Sequence, residues 1–86
     1  MAYIQTGFID VTLNRPIDVD GTEMKVLRVR EPTVADQLVA DEYKGSDSAK
    51  ELLTMANLCQ VSTEDLKKLT LKDYKKLQEA FINFIS

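Results

Sequence analysis

The stretch that most constrains this chain is Val26-Leu27-Arg28-Val29-Arg30-Glu31-Pro32-Thr33-Val34-Ala35-Asp36, where an extended N-terminal third turns into a helical remainder. Pro32 has no N–H to give a strand ladder and pushes Glu31 towards extended geometry, so a strand ends here. Thr33 is a good N-cap, and Asp36, three residues on, is a short version of the capping-box acid. Strand exit, rigid corner and helix start share six residues. The feature is architectural and carries no chemistry.

Upstream of the corner the pattern is β from Phe8 to Arg30: Val11 and Leu13 alternate with Asp10, Thr12 and Asn14, and Ile17 and Val19 continue beyond Pro16. Asp20-Gly21 is a strong hairpin signal, because a type I′ turn needs positive φ at both central residues. On the return strand Met24 and Val26 share one face, while Leu27 and Val29 share the other. With a period of two, that switch predicts a bulge near Val26-Leu27 or burial on both faces. A lone hairpin is marginal in water, so the following helices are expected to cover it. The first helix is expected from Val34 to Tyr43, ending near Lys44-Gly45 with Gly45 in the left-handed position. A Ser48/Glu51 capping pair opens a second, to about Gln60. Ser62 with Asp65 starts a third, through Leu69, and Thr70 with Asp73 caps a fourth, Leu71 to about Ile85. The expected fold class is α+β: an N-terminal β-hairpin followed by three or four short helices. It forms one domain over residues 1–86, with a loose N-terminus (1–7), the hairpin (8–30) and a helical part (33–86).

Composition excludes several kinds of chemistry. One cysteine and no histidine rule out an intramolecular disulfide framework and Cys/His zinc sites, and they fit a reducing cytosol. No apolar run approaches the roughly 20 residues of a membrane span. Residues Met1–Thr6 have neither the basic region nor the apolar core of a signal peptide, so a cytoplasmic protein is expected. The net charge of −3 is uneven, with four Lys/Arg against eight Asp/Glu in residues 1–43 and seven Lys against six Asp/Glu in residues 44–86. Neither half has the strongly basic face that a phosphate backbone demands. Asp18-Val19-Asp20-Gly21-Thr22-Glu23 looks like part of a calcium loop, but the first and twelfth loop positions would fall on Pro16 and Leu27, where carboxylates are needed. Cys59 lies on an apolar helix face with no base to activate it. The carboxylates cluster at helix starts, where the dipole favours them, and none form an acid–base pair. No enzyme, metal or cofactor is expected. Lys67, Lys68, Lys72, Lys75 and Lys76 near two short-linked helices leave a helix-turn-helix DNA-binding regulator as an alternative. The acidic total and the few base-reading side chains weigh against it.

The helices show more apolar surface than they need. In the last one, Leu71, Tyr74, Leu77, Ala80, Phe81, Ile82, Phe84 and Ile85 span an arc of about 200°, against a stripe of a little over about 100° for an ordinary surface helix. The second helix, through Leu52, Met55, Leu58 and Cys59, spans about 220°. A core this small does not readily absorb both, and such surplus usually ends in a partner interface or a homo-oligomer; the alternative is that the hairpin covers one flank of each helix and nothing is left over.

The order of motifs resembles a known family. A hairpin turning at Asp20-Gly21 leads into Arg30-Glu31-Pro32-Thr33-Val34-x-Asp36. The Leu52–Leu58 helix follows, then Ser62-x-Glu64-Asp65-Leu66, Leu69, Asp73-Tyr74 and Leu77. Over roughly residues 9–85 this is similar to the small tail assembly chaperones (tail assembly protein E type) of Mu-like, contractile-tailed bacteriophages and related prophages. Gln60 departs from the pattern, at a position where the family is expected to place a helix-closing glycine. The resemblance implies a non-enzymatic protein of the bacterial host cytoplasm that binds the tape measure protein and keeps it soluble. It also implies promotion of tail tube assembly around that client, contact with the tail tube protein, and absence from the mature virion. Many such proteins are made in two forms, the longer by a ribosomal frameshift, and an end at Ser86 fits the short form. A structural tail component of the virion is a further alternative. Tyr74, Leu77, Phe81, Phe84 and Ile85 are expected to divide between the core and the tape-measure contact, those nearest the C-terminus on the contact side.

Overall fold

The structure, a computed structural model, describes residues 7–86. Apart from Gly7, the loose end expected over residues 1–7 lies outside the described residues. The elements follow as β1 (Phe8–Val19), β2 (Thr22–Arg30), α1 (Val34–Glu42), α2 (Asp47–Cys59), α3 (Thr63–Leu66) and α4 (Leu71–Ile85). This is the α+β arrangement the sequence implies, an antiparallel hairpin followed by four helices. Asp20 (φ 52°) and Gly21 (φ 84°) turn the hairpin with positive φ at both positions, and Val19 pairs with Thr22 across it. The Asp18 carboxylate accepts the Gly21 N–H at 3.3 Å, so the acids of this segment belong to the turn.

The hairpin irregularity lies on the opposite strand from the expected one. Thr12 pairs with Val26 and Ile17 with Met24, so five steps along β1 match two along β2. The surplus falls around Pro16, which has no ladder N–H to lose. Met24 and Val26 do not share a face: Met24 packs against the core with Leu27 and Val29, whereas Val26 is exposed. The two amides displaced from the ladder find one acceptor. Asp73, fully buried at the start of α4, accepts from Asn14 N–H at 2.9 Å and Arg15 N–H at 3.0 Å. Lys76, one turn on, donates to the Thr12 carbonyl at 2.8 Å and lies 3.4 Å from the Asp73 carboxylate. Asp73 is thus the pin between hairpin and helix, beyond the helix-start acid that its position suggests.

At the corner, Thr33 and Asp36 form the capping box, the carboxylate accepting the Thr33 N–H at 2.8 Å. Arg30 grips the same carboxylate with both terminal nitrogens, at 2.9 and 2.7 Å. That fork holds the Asp36 carboxyl at about 2, with the Arg30 hydrogen bonds as the leading cause and Thr33 adding to them. The helix ends differ from expectation at three places. Helix α1 stops because Tyr43 is extended (φ −75°, ψ 134°). Gly45 has no positive φ; it is small because a Cβ there would meet the Tyr43 ring at 2.9 Å. Ser46, not Ser48, caps α2 by accepting the Ala49 N–H at 3.1 Å. Helix α3 ends at Leu66, not Leu69. Ser62/Asp65 form the capping box expected of them, and the Thr70 hydroxyl accepts the Asp73 N–H at 3.1 Å.

The core joins Val11, Leu13 and Ile17 of β1 and Leu27 and Val29 of β2 to Met55, Leu58, Leu66, Leu77 and Ala80 of the helices. Cys59 belongs to it, and burial pushes its thiol up to about 11, away from reactivity. Helix α2 closes on Gln60 in the left-handed region (φ 59°, ψ 42°), with Val61 N–H reaching the Ala56 carbonyl at 3.1 Å and Gln60 N–H the Asn57 carbonyl at 3.3 Å. That is a Schellman ending built without glycine. Because an L-residue pays about 1–2 kcal/mol in this conformation and glycine does not, Gln60→Gly should stabilise the protein. The net gain is about 0.5–1 kcal/mol after the extra unfolded-state entropy of glycine, read as a rise in the urea midpoint at unchanged slope.

Candidate functional site

Helix α4 turns Leu77 and Ala80 into the core and leaves a second stripe facing outward along its length: Leu71, Tyr74, Gln78, Ile82 and Ile85, at three- and four-residue spacing. Ile82 is 56% exposed and Ile85 61%. Against this stripe a groove runs beside α2. Its central part, about 560 Å³, is lined by Ala40, Thr54, Met55, Gln78, Phe81 and Ile82, with Lys50 and Glu51 also on its walls. It continues, through the shared residues Ala40, Thr54 and Phe81, into a part of about 440 Å³ between the start of α1 and Ile85. A third part, about 420 Å³, lies by Leu52, Leu71, Tyr74 and Lys75.

One polar bridge crosses the groove. The Glu51 carboxylate accepts from the Tyr74 hydroxyl at 2.8 Å and from the Gln78 amide at 2.8 Å. Burial, reinforced by the neighbouring Glu51 charge, raises the Tyr74 phenol above its ordinary range. Glu51 therefore ties α2 to α4 and takes no part in capping α2, correcting the role its spacing from Ser48 suggests.

The five expected contact residues separate by burial. Leu77 is fully buried and belongs to the core alone. Tyr74, Phe81 and Phe84 are half-buried against it, with Phe81 also lining the groove, and Ile85 stands at the groove's end. Ile82 and Leu71, both exposed, belong to the apolar arc but not to the five expected contact residues; their spacing from Gln78 and Ile85 is the signal that points to them. Most of the lysines near α3 and α4 are engaged. Lys67 pairs with Glu64 and Lys68 with Asp65, Lys68 also reaches the Asp18 carbonyl, and Lys76 is held as described. Among the described residues, no cluster of three His, Cys, Asp or Glu could hold a metal ion, and no helix is long and apolar enough to cross a membrane.

A small α+β protein with an open apolar groove along its last helix has the surface of a protein that works by holding other proteins. The chain belongs to the phage tail assembly chaperone proteins (E, or 41 or 14): the model of that family matches residues 10–86, nearly its full length. Its role is accordingly that of a tail assembly chaperone, and the family implies a non-enzymatic one. No curated protein and no solved structure matches the chain.

Proposed function

We propose that the α4 groove holds a helical stretch of the tape measure protein, keeps that client soluble and promotes tail tube assembly around it. The work is done in the cytoplasm of the bacterial host, and the chaperone is missing from the finished virion. The observation that supports this reading most directly is the outward stripe ending in Ile82 and Ile85, which an amphipathic helix can cover by laying its own apolar face into the groove. Fifteen residues of α4 give the groove a length of about 22 Å, or four turns of a client helix. Two apolar side chains on an open surface give contact that can later be displaced, which a transient holder needs.

The test is co-expression with the tape measure protein. The double variant Ile82→Asp/Ile85→Asp should move the client from the soluble fraction to the pellet and abolish co-purification. Its far-UV circular dichroism and Tm should stay within a few degrees of wild type, because both side chains already stand in water. Phe84→Asp is the folding control, since Phe84 packs against the core and a charge there should lower the Tm. Retained co-purification by the folded double variant would remove the groove from the site. Mass spectrometry of purified particles should find no copy of this chain.

A further inference from the structure

Helix α1 turns its middle apolar residues away from the groove. Val34, Gln37 and Ala40 line the groove, whereas Leu38 and Val39 point to solvent and none of the nine residues of the helix is buried. Ala35, Leu38, Val39 and Glu42 fall at i, i+3, i+4 and i+7, one outward stripe, with Leu38 56% exposed and Val39 48%. Every charged side chain of this helix is acidic, and its last turn carries no base. Asp36 is neutralised by Arg30, but Asp41 and Glu42 make no ion pair among the described residues. They sit at the negative end of their own helix, where an acid is unfavourable. A second copy presenting the same helix would set acid against acid.

We propose that the outward face of α1 is a second docking surface, separate from the α4 groove, and that its occupant is a basic amphipathic helix of a partner protein. The partner's apolar residues cover Leu38 and Val39, and its Lys or Arg side chains meet Asp41 and Glu42, giving each carboxylate the ion-pair partner that it does not find in Lys44 or any other base among the described residues.

The test uses the full chain and two labelled helical peptides with the same leucine stripe, one flanked by lysines and the other by glutamates, read by fluorescence anisotropy. The lysine peptide should bind about tenfold tighter than the glutamate peptide, and the difference should shrink as salt rises from about 50 to 500 mM. Leu38→Ala/Val39→Ala should weaken binding of the lysine peptide without loss of fold, as alanine favours helix. Asp41→Lys/Glu42→Lys should reverse the preference between peptides; lysines suit a helix C-terminus, so unfolding would not be the cause. In the Ile82→Asp/Ile85→Asp variant, whose groove no longer takes an apolar helix, the lysine peptide should still bind and still be preferred over the glutamate peptide, which separates this surface from the groove. The proposal is overturned by equal binding of the two peptides, by no binding, or by loss of binding on the groove variant alone. Self-association of the chain that Leu38→Ala/Val39→Ala abolishes would also overturn it, by making a second copy the occupant.

Discussion

Asp73→Ala should lower the Tm by about 15 °C, the largest loss expected from any single polar side chain here. The carboxylate is fully buried and is the acceptor for the Asn14 and Arg15 amides. Truncation would leave both N–H groups without the carboxylate that accepts from them. It would also release Lys76 from its ion pair, so the start of α4 and the irregular part of β1 would lose their common anchor. Asp73→Asn keeps the shape but offers one oxygen to two donors and turns an NH2 group towards one of them. It should cost about half as much. A helix-start acid on an open surface contributes far less, so a shift below about 4 °C for the alanine variant would reduce Asp73 to a dipole partner of α4. Thermal melts followed at 222 nm distinguish the two.

The residues that were legible in sequence are those whose neighbours lie within four positions. Asp20-Gly21, Thr33 with Asp36, Ser62 with Asp65 and Thr70 all act locally, and each is found where its local chemistry puts it. Gly45 is misread for a local reason, the Tyr43 ring beside it, but the larger misplacements arise where a distant partner decides. Ser48 and Glu51 have the spacing of a capping box, but Glu51 is claimed by Tyr74 and Gln78, 23 and 27 residues away, which leaves Ser46 to cap. The change of face between Met24 and Leu27 is visible in the sequence, yet parity cannot tell which strand carries the surplus. The answer depends on Asp73, 59 residues from Asn14. The helical wheel of α4 gives the width of the apolar arc without its division. The hairpin takes Leu77 and Ala80 and leaves Ile82 and Ile85 outside. For α1 the pattern gives a helix but not its orientation, because which face meets α2 is settled by the corner that Arg30 and Asp36 lock. The groove is therefore a product of tertiary packing, although apart from Pro32 and Thr33 of the corner its lining stands in helices that the sequence reveals.

The same carboxylates set an acid limit. Asp36 titrates at about 2 in the folded protein, held there first by Arg30, and Asp73 is lowered first by the Asn14 and Arg15 amides. Asp65 is lowered by Ser62 and then Lys68. Each folded value lies below the unfolded one, about 3.9 for aspartate. The unfolded chain therefore binds more protons between the two values, and stability is lost as pH is lowered across that window. The contribution is whole above about pH 5 and vanishes as pH falls through the folded values, so the urea midpoint should drop steeply between about pH 4 and 2. With no histidine, nothing in the chain titrates near neutrality through a side chain of that type, and the midpoint should be flat from about pH 5 to 8. Above that range the Cys59 thiol, buried and raised to about 11, has the opposite sign. The folded state keeps a proton that the unfolded chain gives up, so stability declines again as pH rises. Arg30→Gln should shift the acid limb upward by removing the main cause of the low Asp36 value, while leaving the alkaline limb where it is. An acid limb unmoved in Arg30→Gln would mean that the corner clamp does not hold in solution, and the orientation of α1 that depends on it would fall with it.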